Sequence, residues 1–165
     1  MIAAEIIPSL NESTTRLLKE IGRFSYRNFN NPLPGKGWSA GQIAEHIFLT
    51  DLFIFRLLQG GTEFATRRAG EKVPLIKEYF EDPEQELTIP EFSIPSDSII
   101  DPVTIREKIS RERHSIIQYL HRVDEDSLCS DYSYPVLGIL TVSEWVWFMV
   151  FHTERYIGEL KKLEI

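Results

Sequence analysis

The chain has 165 residues, of which 42% are hydrophobic and 26% charged, and its formal net charge is −7. These values are ordinary for one globular domain, here expected to span residues 1–165, and they exclude the low-hydropathy composition of a disordered chain. The acidic balance and the lack of any Lys/Arg-rich block argue against nucleic acid as a partner.

No segment has the pattern of a membrane span or a signal peptide. The start, MIAAEIIPSLNE, lacks a basic region and a sustained apolar core, and the longest apolar run, at 145–151, is far shorter than the roughly 20 residues that a span needs. We therefore expect a soluble cytoplasmic protein with no membrane partner. The single cysteine, Cys129, has no disulfide partner and no CxxC motif, so its remaining use is as a free-thiol nucleophile.

The first amphipathic helix is predicted over residues 8–25. Its apolar residues recur at spacings typical of one helical face, and they are Leu10, Leu17, Leu18, Ile21 and Phe24. The stretch NNPLPGKG, residues 30–37, contains two prolines and two glycines. This composition predicts a connector that separates the first helix from the second.

A capping box predicts where the second helix begins. Ser39 is placed to accept hydrogen bonds from free backbone N–H groups, and Gln42, three residues on, is the reciprocal residue. The helical pattern continues to about Gln59, where Gly60-Gly61 ends it.

Residues 61–101 interrupt the helical period. They include four prolines and ten acidic residues against four basic ones, and they predict an irregular crossover with one short helix near 75–80. A connection of about forty residues is longer than most, so we expect it to be functional, a lid over one end of the core, or partly mobile. The acids follow no calcium-loop spacing and indicate a solvated loop. Four apolar residues suggest that the crossover is packed, and they are Phe80, Phe92, Ile94 and Ile99.

The third helix is predicted to start at Asp101-Pro102, with the aspartate as cap and the proline at the first helical position. It ends before the acidic residues 124–126. Its apolar stripe consists of Ile105, Ile109, Ile116 and Leu120. We interpret His114 and His121 as surface residues on a solvated basic flank made of Arg106, Arg111, Arg113 and Arg122.

A loop at 130–140 precedes a second capping box, formed by Thr141 and Glu144, and the fourth helix then runs to about Leu163. Four helices of roughly 16 to 23 residues are suited to an antiparallel bundle. The predicted fold is therefore all-α, an antiparallel four-helix bundle with a long irregular crossover between the second and third helices.

Two histidines are predicted to point into this bundle. His152 and Tyr156 belong to one stripe of the fourth helix that also includes Trp145 and Leu160, and on the second helix His46 falls on the apolar face. Three interpretations are open. Each histidine is a hydrogen-bonded core residue, or both bind a divalent metal together with a third group and water, or one acts as an acid-base catalyst without metal.

Two stretches in this order resemble the DinB-like superfamily. They are WSAGQIAEHI, residues 38–47, and GILTVSEWVWFMVFHTERYIGEL, residues 138–160. The resemblance covers essentially the whole chain. It implies a four-helix bundle, often a homodimer, whose core pocket in many members holds a nickel, zinc or similar divalent ion on three histidines. Characterised relatives include metal-dependent thiol-S-transferases that use low-molecular-weight thiols such as bacillithiol or mycothiol, and thiol-dependent isomerases.

Position by position, His46 matches the first ligand of that family and His152 the second, while Tyr156 stands at the third. A phenol must lose a proton before it binds, and its hard oxygen suits nickel or zinc less well than imidazole does. Glu159, one turn further on, is a possible substitute that would give a two-histidine, one-carboxylate set for zinc, iron or manganese.

The resemblance thus implies a metal-dependent hydrolase or thiol-S-transferase with a degenerate metal triad, acting on a small-molecule substrate. The bound ion, Ni, Zn, Fe or Mn, would lower the pKa of a thiol cosubstrate. The alternative is a non-catalytic binding or structural bundle that has lost tight metal binding.

Overall fold

The computed structural model describes residues 4–32 and 37–165. Residues 33–36 of the predicted connector and the first three residues of the N-terminal stretch lie outside this range. The helices are α1 (Ile6–Gly22), α2 (Tyr26–Phe29), α3 (Ala40–Leu58), α4 (Val73–Glu81), α5 (Pro102–Leu120) and α6 (Val142–Leu160), and the strands are β1 (Thr62–Glu63) and β2 (Leu128–Cys129).

The four long helices α1, α3, α5 and α6 form the body of the molecule. Helix α1 packs against α5 and α6, and α3 packs against the same two helices, so each long helix has two long neighbours. The all-α bundle predicted from the helical periodicity is confirmed. Within the described ranges, no helix is both long enough and apolar enough to cross a membrane.

The capping boxes define the starts of the two helices that carry the histidines. Ser39 Oγ accepts a hydrogen bond from the backbone of Gln42, whose side chain accepts one from the backbone of Ser39, both at 3.1 Å. Thr141 and Glu144 exchange the same two bonds at the start of α6. These bonds satisfy backbone N–H groups that have no partner within the helix. The residue types that form them can be recognised in a sequence, so both helix starts could be predicted.

Helix ends differ more from the prediction. The first helix stops at Gly22 rather than near residue 25, because Ser25 caps a new short helix by accepting a hydrogen bond from the backbone of Asn28. Helix α5 ends at Leu120, the last residue of its predicted apolar stripe, and α6 ends at Leu160, a few residues before the predicted end at about Leu163.

The crossover contains the predicted short helix, α4, which packs on α6. It also contains strand β1, which pairs antiparallel with β2 and was not predicted, because strands of two residues carry no periodic signal. Of its four apolar residues expected to pack, Phe80 is buried and Phe92 is stacked on another ring, but Ile94 and Ile99 are exposed. The prediction was wrong for these two isoleucines.

Glu144 ties the crossover to the start of α6. Its carboxylate is fully buried and accepts hydrogen bonds from Arg67 Nη1 at 2.6 Å, Arg67 Nη2 at 2.7 Å and the backbone N–H of Lys72 at 2.6 Å. The same carboxylate closes the capping box with Thr141. One buried acid therefore fixes both a helix start and the first part of the crossover.

Arg113 was predicted to lie on a solvated flank, and this prediction was wrong. The side chain is 1% exposed and forms a buried ion pair with Asp51, with Nε 2.8 Å from Oδ2 and Nη2 3.2 Å from Oδ1. Nη1 donates to Thr14 Oγ1 at 3.0 Å, and Nη2 also donates to Thr153 Oγ1 at 2.7 Å. The two flanking histidines, His114 and His121, are exposed as expected.

These four polar residues form a layer that we call the polar layer: Thr14 on α1, Asp51 on α3, Arg113 on α5 and Thr153 on α6. The buried apolar residues fall into two clusters, one on either side of this layer along the helices. Both carboxylate oxygens of Asp51 accept from the guanidinium, so the charges of the layer are paired even though burial raises the pKa of Asp51.

Candidate functional site

The candidate site is built around His46 on α3 and His152 on α6. Their Nε2 atoms lie 2.9 Å apart, and the two side chains are 1% and 5% exposed. The structure thus brings together the two histidines that the sequence placed on inward faces. They meet next to the polar layer, since Thr153 follows His152 in the chain.

The hydrogen bonds assign the protons of the pair. His46 Nδ1 lies 2.7 Å from the carbonyl oxygen of Ser93, which can only accept, so Nδ1 carries the proton and Nε2 of His46 is an acceptor. Nε2 of His152 then donates to it. Burial lowers the pKa of His46 to about 4, against the opposing effect of the Ser93 bond. Burial, His46 and Arg113 lower the pKa of His152 well below its ordinary value. Both rings are therefore neutral at neutral pH.

Tyr156 completes the group of rings. Its ring centroid lies 4.8 Å from that of His46 and 4.9 Å from that of His152, and Trp38 stacks on it at 6.3 Å. Burial is the main cause that raises the pKa of the phenol to about 12. Tyr156 therefore packs against both histidines with its phenol protonated; its role as a third ligand stays a prediction.

Glu159 does not join the histidines. Its carboxylate accepts a hydrogen bond from Lys162 Nζ at 3.0 Å, and its side chain is 39% exposed on the surface. Across residues 4–32 and 37–165, no group of three or more His, Cys, Asp or Glu side chains is close enough to hold a metal ion. The donors present at the site are two imidazoles and one phenol.

Cys129 is separate from this site. It lies in β2, fully buried, and burial together with the nearby Asp131 raises the pKa of its thiol to about 12. A thiol in this state is almost entirely protonated at neutral pH, so the structure gives no support to the free-thiol nucleophile.

A cavity adjoins the histidine pair. It is narrow, with room for about one water molecule between its walls. Aromatic and aliphatic side chains dominate the lining, and no Asp, Glu, Lys or Arg of the described chain contributes to it. Besides Tyr156, the aromatic residues of the wall are Phe53, Phe80, Phe92, Tyr134, Trp145 and Phe148.

Residues 87–93 of the crossover close one side of this cavity. Phe92 stacks on Phe53 with ring centroids 3.6 Å apart, and Ser93 accepts the hydrogen bond from His46. The backbone of Thr88 donates to Tyr79 Oη at 3.0 Å and accepts from Tyr134 Oη at 3.1 Å. We call residues 87–93 the cover segment. The cover segment thus forms part of the cavity wall, and the interpretation of the crossover as a lid stays a prediction.

Sequence reasoning did not find the cover segment's contribution to the site. The residue that orients His46 is Ser93, and it does so with its backbone carbonyl, which has no signature in a sequence. Pro90 and Pro95, on either side of Ser93, predicted that this part of the chain is not an α-helix. They did not predict which part of the bundle it packs against.

The fold is an all-α bundle with an irregular crossover, and its histidines on α3 and α6 face each other beside a cavity in the core. These features define a class of helical protein with a core pocket. The family model of the DinB superfamily matches residues 9–160, so the chain belongs to the DinB superfamily. It is 20% identical over 154 residues to the uncharacterized protein YuaE of Bacillus subtilis (strain 168), covering 93% of this chain and 94% of that protein. No solved structure gives a significant match.

Proposed function

We propose that this protein is a divalent-metal-dependent enzyme of the thiol-S-transferase type, with the ion bound by His46 and His152 and with Tyr156 as a weak third ligand. One observation supports this most: two neutral imidazoles from different helices bring their Nε2 atoms within 2.9 Å of each other. Neutral imidazole nitrogen is the commonest protein ligand for zinc, nickel and iron.

The surroundings of the pair fit an ion of this kind. A metal-bound histidine usually donates its second N–H to a carbonyl or carboxylate, as His46 does to Ser93. Two nitrogens bound tetrahedrally at about 2.0–2.1 Å from zinc would lie about 3.3 Å apart, so the two Nε2 atoms would move apart by a few tenths of an ångström. The proton of His152 would also shift from Nε2 to Nδ1, which frees Nε2 as a ligand. Nickel, iron and manganese are the other candidates.

The chemistry suits a small thiol and a small electrophilic substrate. A divalent ion at this point would lower the pKa of a low-molecular-weight thiol so that the thiolate forms near neutral pH. Tyr156, protonated because its pKa is about 12, is available as a hydrogen-bond donor to the thiol or the substrate. The cover segment and the aromatic wall keep bulk water away from the reacting groups.

A second candidate function is a non-catalytic binding bundle. It is favoured by the hydrogen bond between the two histidines, which satisfies both Nε2 atoms with no ion, and by the phenol at the third position. In this case the cavity retains a ligand-binding or structural role. The homodimer implied by family resemblance is a proposal in both cases, and sedimentation velocity of the purified protein measures it.

Metal analysis separates the two candidates. Protein purified without a metal-affinity tag is titrated with Ni²⁺, Zn²⁺, Fe²⁺ and Mn²⁺, and the bound ion is counted after gel filtration. We expect one ion per chain, lost in H46A and in H152A but retained in H114A, the matched control on the exposed face of α5. Failure of every ion to bind below about millimolar concentration supports the non-catalytic candidate.

The thiol is tested on the loaded protein. Cobalt-substituted protein is mixed with cysteine or 2-mercaptoethanol, and a thiolate-to-metal absorption band is expected in the wild type and in H114A. The band should be absent in H46A. An ion that binds without producing this band would mean that the site holds metal but does not accept thiols.

A further inference from the structure

Trp145 has a buried hydrogen-bond donor with no acceptor. The side chain is 1% exposed and lines the cavity, and its Nε1 atom is one of two buried polar side-chain atoms without a partner in the described chain. Buried indole N–H groups usually find an acceptor, since leaving one unpaired costs free energy. Since Trp145 belongs to the cavity wall, a ligand in the cavity would supply the missing acceptor.

Three other hydroxyl donors of the wall already have acceptors in the protein. Thr50 Oγ1 donates to the carbonyl of His46 at 2.8 Å, Ser93 Oγ to that of Pro90 at 3.0 Å, and Tyr134 Oη to that of Thr88 at 3.1 Å. The protein thus provides acceptors for these three groups and not for Trp145. A ligand that accepts one hydrogen bond from Trp145 would complete the cavity without disturbing the others.

The other side chains of the cavity wall determine what kind of molecule such a ligand is. Phe148 packs edge-on against Phe80 at 4.9 Å and against Tyr134 at 5.0 Å, and it lies 5.0 Å from the ring of Trp145. No charged side chain is present to pair with an ionised ligand, and burial of an unpaired charge is costly. The wall therefore favours a neutral molecule with an aromatic body.

The helix sets the distance between the two polar ends of the cavity. Trp145 and His152 lie seven residues apart on α6, which is about 10 Å along the axis at 1.5 Å per residue. A ligand of one ring with a short polar substituent spans much of this distance, and its other end faces the histidines.

We propose that the cavity binds a small, neutral, aromatic molecule whose hydrogen-bond acceptor, such as a carbonyl oxygen, receives the Nε1–H of Trp145. This deepens the proposed function by naming its substrate class, and it rests on that function only for the group that reacts at the histidine end. Because the cavity has room for about one water molecule, the cover segment has to move outward when the ligand enters.

The test uses two uncharged probes of similar shape, acetophenone, which has a carbonyl acceptor, and isopropylbenzene, which has none. The protein is labelled with ¹⁵N at the indole nitrogens of its three tryptophans, and the Trp145 signal is assigned with W145F. Acetophenone is expected to shift the Trp145 N–H signal downfield in a saturable manner. The signals of Trp38 and Trp147 report any general effect of the probe.

The affinity of each probe is then compared between variants. In W145F the dissociation constant for acetophenone should rise roughly fivefold or more, as expected for loss of one net hydrogen bond, while that for isopropylbenzene changes by less. W147F is the matched control, since Trp147 stacks on Phe151 and does not line the cavity. It should leave both constants unchanged.

Three outcomes overturn the proposal: no shift of the Trp145 signal up to the solubility of acetophenone, a shift without saturation, or equal weakening of both probes in W145F. If W145F does not fold, W38F and W147F assign the wild-type signals by elimination, and the shift decides. A metal titration of W145F measures ion binding independently of Trp145, so it distinguishes the proposed metal function from the proposed aromatic ligand. An ion bound without any probe shift would refute only the ligand, whereas a saturable shift in a protein that binds no metal would refute only the metal function.

Discussion

His46 and His152 lie 106 residues apart in the chain, yet their Nε2 atoms are 2.9 Å apart in the fold. The contact joins α3 to α6, and through the bond from His46 to Ser93 it also joins both helices to the cover segment. One buried pair therefore connects the bundle to the segment that closes its cavity, and a change in the pair is expected to affect both.

Acid should destabilise the metal-free protein through this pair. Above pH 6.5 the histidines are neutral in both the folded and unfolded states. As the pH falls from 6.5 towards 4, the unfolded chain binds protons that the folded chain does not, so the free energy of unfolding decreases. For His46 alone, with its pKa lowered to about 4, the loss reaches about 3 kcal/mol by pH 4.

Urea unfolding of wild type and H46L in the presence of a chelator, at several pH values between 7 and 4, measures this loss. H46L should lose less stability over that range, because it lacks the histidine whose protonation favours the unfolded chain. The carboxylates titrate alike in both proteins and do not contribute to the difference. At pH 7 the variant should be less stable by about 1–3 kcal/mol, since Ser93 loses its donor and His152 its acceptor. Parallel stability curves for the two proteins would show that His46 is not held neutral by the fold.

Replacing Tyr156 by histidine should restore a third imidazole. We expect Y156H to bind zinc roughly tenfold more tightly or better than the wild type, because a neutral nitrogen ligand replaces a phenol that must first lose its proton. Competition against a chromophoric chelator measures the affinity. Y156F removes the oxygen alone and should not tighten binding. An unchanged affinity in Y156H would mean that the three side chains do not converge on one ion.

Breaking the polar layer should cost far more than removing a surface charge. R113M leaves Asp51 as an unpaired buried carboxylate, and loss of one partner of such a pair costs about 3–5 kcal/mol. R111M, on the exposed face of the same helix, should change stability by less than about 0.5 kcal/mol. Chemical denaturation compares them. D51L combined with R113M should recover part of the loss, and equal effects of R113M and R111M would contradict the buried pairing.

Glu144 should control the order of the crossover's first part. In E144Q the amide no longer pairs with the guanidinium of Arg67, and a hydrogen bond to a charged group contributes about 1.5–3 kcal/mol. Hydrogen exchange is expected to accelerate in residues 62–72 before it does in α3 or α5. E12Q is the control, because Glu12 is largely exposed and 4.0 Å from Arg16. Unchanged exchange in residues 62–72 would show that Glu144 does not hold this segment.

The parts of the fold that could be predicted are those with local signals. Capping chemistry gave the starts of α3 and α6, and helical periodicity gave the inward faces that bring His46 and His152 together. Arg113 was misplaced because a charged residue was assumed to face water. The spacing itself was informative, since residue 113 lies four after Ile109 and three before Ile116, in a gap of the buried stripe.

The rest depended on contacts distant in the chain. The pairing of β1 with β2 and the bond from His46 to the carbonyl of Ser93 involve backbone groups that every residue has, so residue identity does not encode them. Glu159 was considered as a ligand from its helical position. Its ion pair with Lys162 on the surface was the simpler use of the same carboxylate.

The polar layer also fixes how far each helix can slide along its neighbours. A shift of one helix by a single turn, about 5.4 Å, would carry Arg113 away from its carboxylate and hydroxyl partners and leave a charge in an apolar half of the core. Helices that contact one another only through apolar side chains have no such penalty at intermediate positions. Thr153 belongs to the layer and His152 precedes it in the chain. The layer therefore also keeps the two histidines at the same position along the bundle axis.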